Sequence, residues 1–294
     1  MSESTGWSTS RERRPGVIPL RPLLLGEILE GAVATLRRYA GVVFGSAAVV
    51  ALVSAVVYYA ADLWVLDATS PAPVIDADAP PEVQLEQAME QLRSSLPQFG
   101  VLALITLVTQ TFLSGLLTVV VGKAVLGRPI GVRGAWEELK PRLLPLLGLT
   151  FVVTAAVMVG TALFIVPGVW LYALLSLATP ALVLERGRLG AALRRSVLLV
   201  QGAWWRVFGV LVVAVLITWA LSYLIQWPFT LAIDPQAFER GYTPQELVIR
   251  ELGGAVARTV TVPFSAAVTA LLYIDQRIRR ENLADELSRA AGRN

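Results

Sequence analysis

Six residues in one short stretch have the types and spacing to bind something: Glu185, Arg188, Arg194, Arg195, Trp204 and Trp205. In "ERGRLGAALRRS" (185–196), four arginines and a glutamate directly follow a run, 143–184, that carries no charge. Guanidinium groups grip phosphates bidentately, and paired indoles settle at the headgroup layer of a membrane. The stretch can therefore anchor the chain at a membrane edge, hold an anionic lipid headgroup or a partner, or touch a nucleic acid. A second set, Arg258, Gln226 and Gln110, lies inside apolar runs, where a charge or amide is costly and marks a functional candidate. A third, "DAD" at 76–78, has carboxylates for a cation. Its Pro/Ala-rich surroundings lack the glycine turn and terminal glutamate of a calcium loop, so it reads as a solvated loop.

Acid/base chemistry has little to work with. The chain contains no cysteine and no histidine, which removes disulfides, Cys/His zinc sites, haem ligation by those residues and histidine catalysis. No acid/base pair lies in the apolar runs either. The expectation is no enzyme, no catalytic residue, no metal site and no cofactor.

The elements that must position these residues are membrane spans. Apolar residues make up 55% of the 294 and charged residues 16%, well away from soluble domains at about 45–50% and about 25%. Charge-free runs cover 39–61, 94–122, 143–184 and 207–233, and a fifth, 252–274, is interrupted by Arg258 alone. A crossing needs about 20 residues, and 143–184 as one helix would be roughly 63 Å long, twice the bilayer. It must turn back, and "VPGVW" (166–170) supplies Pro167 and Gly168 for the turn. Six spans result, at about 41–61, 99–121, 144–166, 169–184, 207–232 and 253–274. They make a six-span membrane domain, 20–275, between tails at 1–19 and 276–294. The first tail reads as disordered, not as a cleaved signal peptide. Pro180, Pro228 and Pro263 are expected to kink spans four, five and six.

Arginine and lysine set the orientation. Segments 1–40, 122–142, 185–206 and 275–294 hold all of them except Arg93, Arg240, Arg250 and Arg258. By the positive-inside rule both termini are cytoplasmic. The opposite face is acidic, its loop 62–98 carrying seven acids against Arg93, with a surface helix over 82–94. The expected location is a bacterial plasma membrane, a reading to which the preference for arginine over lysine contributes.

Three amphipathic segments precede spans one, three and five. In 25–39, Leu25, Ile28, Leu29, Ala32, Leu36 and Tyr39 form one stripe at helical spacing, opposite Glu27, Glu30, Arg37 and Arg38. Such a helix lies in the interface or packs on the ends of the spans. Residues 188–201 set Leu189, Leu193, Val197 and Val200 against Arg188, Arg194, Arg195 and Gln201, and "VRGAWEELKPRLLPLLG" (132–148) repeats the pattern. The chain reads as three units of interfacial helix plus transmembrane hairpin, at 20–122, 123–184 and 185–275. Glu185 is expected to pair with Arg186 or Arg188, and Arg258 to snorkel or to pair with Asp62.

Residues 166–209, with Pro167-Gly168, Pro180, Glu185, Arg195-Ser196 and Trp205, resemble the glycerophosphoryl diester phosphodiesterase membrane-domain family. Residues 21–39 and 271–282 are similar to the ends of related actinobacterial membrane proteins. The resemblance implies the membrane region of such proteins. The phosphodiesterase barrel fused to it in some members uses histidines and metal-binding carboxylates, and its catalysis does not carry over to a chain without histidine.

The expectation is thus an all-α polytopic bundle without catalysis, whose partners are the bilayer, anionic phospholipid headgroups or another membrane protein, and not nucleic acid. The alternative is a transporter or channel, which requires Arg258, Gln226 and Gln110 to line one path.

Overall fold

A computed structural model describes residues 23–65, 68–69, 79–125, 131–185 and 187–281. The tail 1–19, Asp67 and the "DAD" segment fall outside them. Among the described residues there is no strand, and eleven α-helices follow in order. Six stretches are long and apolar enough to cross a membrane, so the chain is an all-α polytopic bundle.

The first unit is α1 (Leu25–Arg38), α2 (Ala40–Trp64) and α3 (Pro81–Val125). The apolar stripe of α1 is buried on the bundle through Ile28, Ala32 and Leu36, so this amphipathic helix packs on the span ends. In its first turn the Glu27 carboxylate accepts the Leu24 amide at 2.7 Å. Arg37 and Arg38 lie in the last turn, and acid at the start with base at the end favours the helix dipole. Only Tyr39 separates α1 from α2. α3 has 45 residues. At the rise of an α-helix it is roughly 68 Å long. The surface helix expected over 82–94 is its first part. Ser94 and Ser95 donate back to the Gln91 carbonyl at 3.0 and 2.5 Å, so their hydroxyls cap no new helix and α3 runs on.

The second unit is α4 (Val132–Leu139), a 3-10 turn at Lys140–Arg142, α5 (Leu143–Leu163), α6 (Ile165–Leu175) and α7 (Ala178–Glu185). The turn of the hairpin is not at Pro167-Gly168. It is at Phe164, whose φ of −159° and ψ of 149° are extended. Pro167 sits in the first turn of α6, where a missing N–H costs no helical bond. Gly168 is a contact glycine: a Cβ there would lie 2.8 Å from both the backbone nitrogen and the Cα of Thr161, and Gly160 faces it from α5. The two helices pack at backbone distance because Gly160 and Gly168 carry no side chain where they face each other.

Pro180 has the stronger effect. It lacks the N–H that would bond the Ser176 carbonyl, and its ring crowds that carbonyl, so the span breaks at Ser176 and Leu177. Ser196 of the following helix repairs the break. Its hydroxyl donates to the Leu174 carbonyl at 2.7 Å and accepts the Leu177 amide at 3.2 Å. Pro228 and Pro263, by contrast, lie within uninterrupted helices.

The third unit is α8 (Leu189–Val200), α9 (Trp204–Thr230), the short α10 (Ala237–Arg240) and α11 (Pro244–Glu281). The α8–α9 turn uses Gly202 at φ 83°. That left-handed value suits glycine, which has no Cβ to clash. Thr243 and Glu246 open α11 by capping each other. The carboxylate accepts the Thr243 amide at 2.8 Å, and the Glu246 amide bonds the Thr243 hydroxyl at 3.3 Å. This reciprocal pair is a capping box. α11 extends past the expected span end at 274 to Glu281 and is the most buried of the six, packed on α2, α9, α3 and α1. α5 and α9 are the least buried. The element order is three times an amphipathic helix followed by a hairpin.

Gly168→Ala should force α5 and α6 apart and lower the melting temperature in detergent, since overpacking a tight contact costs about 1–3 kcal/mol. At Gly26 a Cβ meets nothing within 4 Å. Gly26→Ala should therefore leave the melting point unchanged or raise it, alanine being the better helix former.

Candidate functional site

Each amphipathic helix is tied to the ends of the spans by a carboxylate and a cation. For α1 the carboxylate is Asp275 of α11, which is fully buried. It accepts the Leu23 amide at 2.8 Å, Arg206 at 3.0 Å and Arg279 at 3.0 Å. The same two arginines donate to the Leu23 carbonyl, Arg279 at 3.0 Å. The residue entering α1 is thus held at both its N–H and its C=O from α9 and α11. For α4 the tie is Glu138 with Lys123 of α3. For α8 it is Arg195 with Glu185 at 2.9 Å.

The expected partners of Glu185 are therefore corrected. Instead of Arg188, the carboxylate takes Arg195, the Tyr273 hydroxyl and, at 3.7 Å, Arg277. The turn after α7 folds α8 back, which brings a residue two turns into α8 over the end of α7. Arg186 lies outside the described residues. The buried face of α8 is centred on Ala192, Ser196, Leu199 and Val200, with Leu189, Leu193 and Val197 at its margins and Leu198 outward.

Arg188 and Arg194 are exposed, and among the described residues neither has an ion-pair or hydrogen-bond partner. Trp204 donates to the Trp170 carbonyl at 3.3 Å and stacks on Phe208 at 4.8 Å between ring centroids. Trp205 stands edge-on to Trp204 and is 79% exposed. The opening stretch thus divides into groups that hold the fold (Glu185, Arg195, Trp204) and groups left free (Arg188, Arg194, Trp205).

Arg258 is corrected too. Its guanidinium pairs with Glu251 at 3.2 Å and lies over the Tyr58 ring at 5.0 Å, while Asp62 is taken by Arg250. The ring face attracts the cation and adds to the pairing. Arg250 sits two helical turns before Arg258 on α11, level with the end of α2. Gln226 donates to the Ser222 carbonyl of its own helix at 3.1 Å. Gln110 instead faces a cleft lined also by Ser114, Thr118, Ser176, Thr179, Ser265 and Thr269. Arg258 and Gln226 do not line this cleft, so among the described residues it does not join the three into one path. The hydroxyl groups were missed by the sequence reading. Their signal was a spacing of four along α3 (110, 114, 118) and α11 (265, 269).

The model of an uncharacterised protein family, UPF0259, matches residues 44–233. No curated protein and no solved structure matches the chain.

Asp275→Ala should leave Arg206, Arg279 and both backbone groups of Leu23 without their acceptor or anchor. Breaking such a buried pair costs about 3–5 kcal/mol. The expected result is a lower melting temperature in detergent and trypsin cleavage after Arg37 or Arg38 as α1 undocks. Arg133 and Glu137 form an exposed pair on α4. Removing it with Arg133→Gln should cost about 0.5 kcal/mol or less and leave α1 protected.

Proposed function

The chain belongs to the uncharacterised family UPF0259, and we propose that within it this protein is a non-catalytic membrane component whose α8 rim holds anionic phospholipid headgroups. The observation that carries this reading is the pair Arg188 and Arg194, exposed and unpaired among the described residues on a helix otherwise docked, with Trp205 exposed beyond them. Cations with no protein counter-charge at a membrane edge take their counter-charge from lipid phosphate. A groove between α2 and α3 of about 440 Å³, lined by Val49, Val53, Val57 and Val108 and bounded by Phe112 and Trp136, adds a surface suited to an acyl chain.

In this reading the end bearing α1, α4 and α8 faces the cytoplasm of a bacterial cell, where the positive-inside rule puts it. The resemblance of residues 166–209 to the glycerophosphoryl diester phosphodiesterase membrane-domain family is in keeping with a membrane module that meets phospholipid. A partner membrane protein with an acidic edge is the variant of this reading in which protein carboxylates replace the lipid phosphate.

Native mass spectrometry of the detergent-purified protein tests it, with Arg188→Gln and Arg194→Gln combined so that the Arg195 tie to Glu185 is kept. At about 1 kcal/mol per basic residue, losing two should weaken retention of phosphatidylglycerol about 30-fold. Equal retention by the two proteins, with topology unchanged, would reduce these arginines to anchors.

A further inference from the structure

The cleft at Gln110 has a chemistry that the headgroup reading does not use. It holds about 160 Å³, and one helix of each unit lines it: α3 with Gln110, Ser114 and Thr118, the α6–α7 break with Ser176 and Thr179, and α11 with Ser265 and Thr269. Among the described residues no charged side chain lines it. The nearest charges along these helices, Lys123, Glu185 and Arg258, are engaged in ion pairs. Each lies at least one helical turn beyond the lining residues of its helix.

The cleft offers both acceptors and donors. Ser114, Ser176 and Thr269 donate their protons to the Thr111, Ala173 and Ser265 carbonyls at 3.3, 2.8 and 2.8 Å, which leaves their lone pairs for the cleft. Among the described residues the Thr118, Thr179 and Ser265 hydroxyls and the Gln110 amide remain to donate, so the wall favours a ligand whose O–H groups both donate and accept. An anion would find no cation, and a cation would shed water without a carboxylate to replace it, both costly at membrane depth. A liquid water occupies about 30 Å³, so the space takes about five waters or one small polyol.

The broken helix is the second observation. Non-helical backbone at membrane depth persists where it is buried in protein or lines a cavity, and discontinuous helices are where membrane proteins build polar sites. Ser176, at the break, lines this cleft.

The cleft also has a direction. Along α3, exposure falls from Gln110 through Ser114 to Thr118. The closed side is thus the one bearing the three amphipathic helices. It is sealed where Gly122 allows α3 to meet Leu184 of α7, a Cβ at Gly122 falling 2.9 Å from Leu184 Cδ2.

We propose that this cleft binds a small uncharged polyol, admitted from the end where Asp62 meets Arg250.

The chain has no cysteine, so a single engineered thiol reports on its own surroundings. Ser265→Cys, and Ser114→Cys should the first fail to fold, is treated in proteoliposomes with iodoacetamide and the alkylated fraction followed by mass spectrometry. Val215→Cys, on an exposed part of α9, gives the rate for a thiol facing lipid. Since the thiolate reacts and needs water to form, Ser265→Cys should react about ten-fold faster than Val215→Cys. Glycerol should slow it several-fold relative to dextran of matched viscosity, while leaving Ser94→Cys, on the exposed part of α3, unaffected. A rate equal to that of Val215→Cys would mean a dry cleft and overturn the proposal. A fast rate that glycerol does not slow would overturn it as well, leaving a cleft that holds only water. Neither outcome bears on lipid retention at Arg188 and Arg194.

Discussion

A carboxylate at the edge of a hydrocarbon layer must find a cation, and much of the geometry at the capped end of this protein follows from that requirement. Asp275, Glu185 and Glu138 each meet a guanidinium or ammonium group of another element. The attraction across each pair is strong because water is scarce there, and for the same reason a lost partner is costly. One tie belongs to each helix-plus-hairpin unit, so the amphipathic helices are fastened in addition to being packed. Asp275 does most, since one side chain there satisfies a backbone amide and two arginines.

The middle of the bundle follows a different rule. In hydrocarbon every backbone polar group needs a protein partner. Pro180 breaks the span at Ser176, and Ser196, a side chain from α8, takes up the Leu174 carbonyl and the Leu177 amide beside the break. A single hydroxyl therefore joins α8 to the interrupted span. The same break exposes a polar stretch that, with α3 and α11, makes a space to which all three units contribute hydroxyl or amide groups.

Much of this was legible in the residues. Charge-free runs locate six spans because a charge in lipid is expensive everywhere along the chain, and the helical stripe of 25–39 shows which side of α1 is buried. Pro167-Gly168 misled because glycine serves two purposes. It permits a turn, and it permits two helices to touch, as at Gly168 against Thr161. The pairings of Glu185 and Asp62 were not readable, since they depend on the relative height of helices distant in sequence. Arg195 and Arg250 win over other arginines by that height alone. The hydroxyl cleft stayed hidden for a further reason. Serine and threonine satisfy themselves on their own helix whether they face lipid, a neighbour or a cavity, so their presence does not say which.

The clasp on Leu23 has a meaning for synthesis. Its acceptor, Asp275, lies 252 residues later, on the last of the described helices. Closing so long a loop brings together the two ends of the described chain only after the five earlier spans exist. Until then α1 has its stripe but no anchor. Synthesis of α11 is thus the event that latches the first amphipathic helix, and a chain stalled before α11 would display an unfastened α1 that the folded protein keeps out of reach.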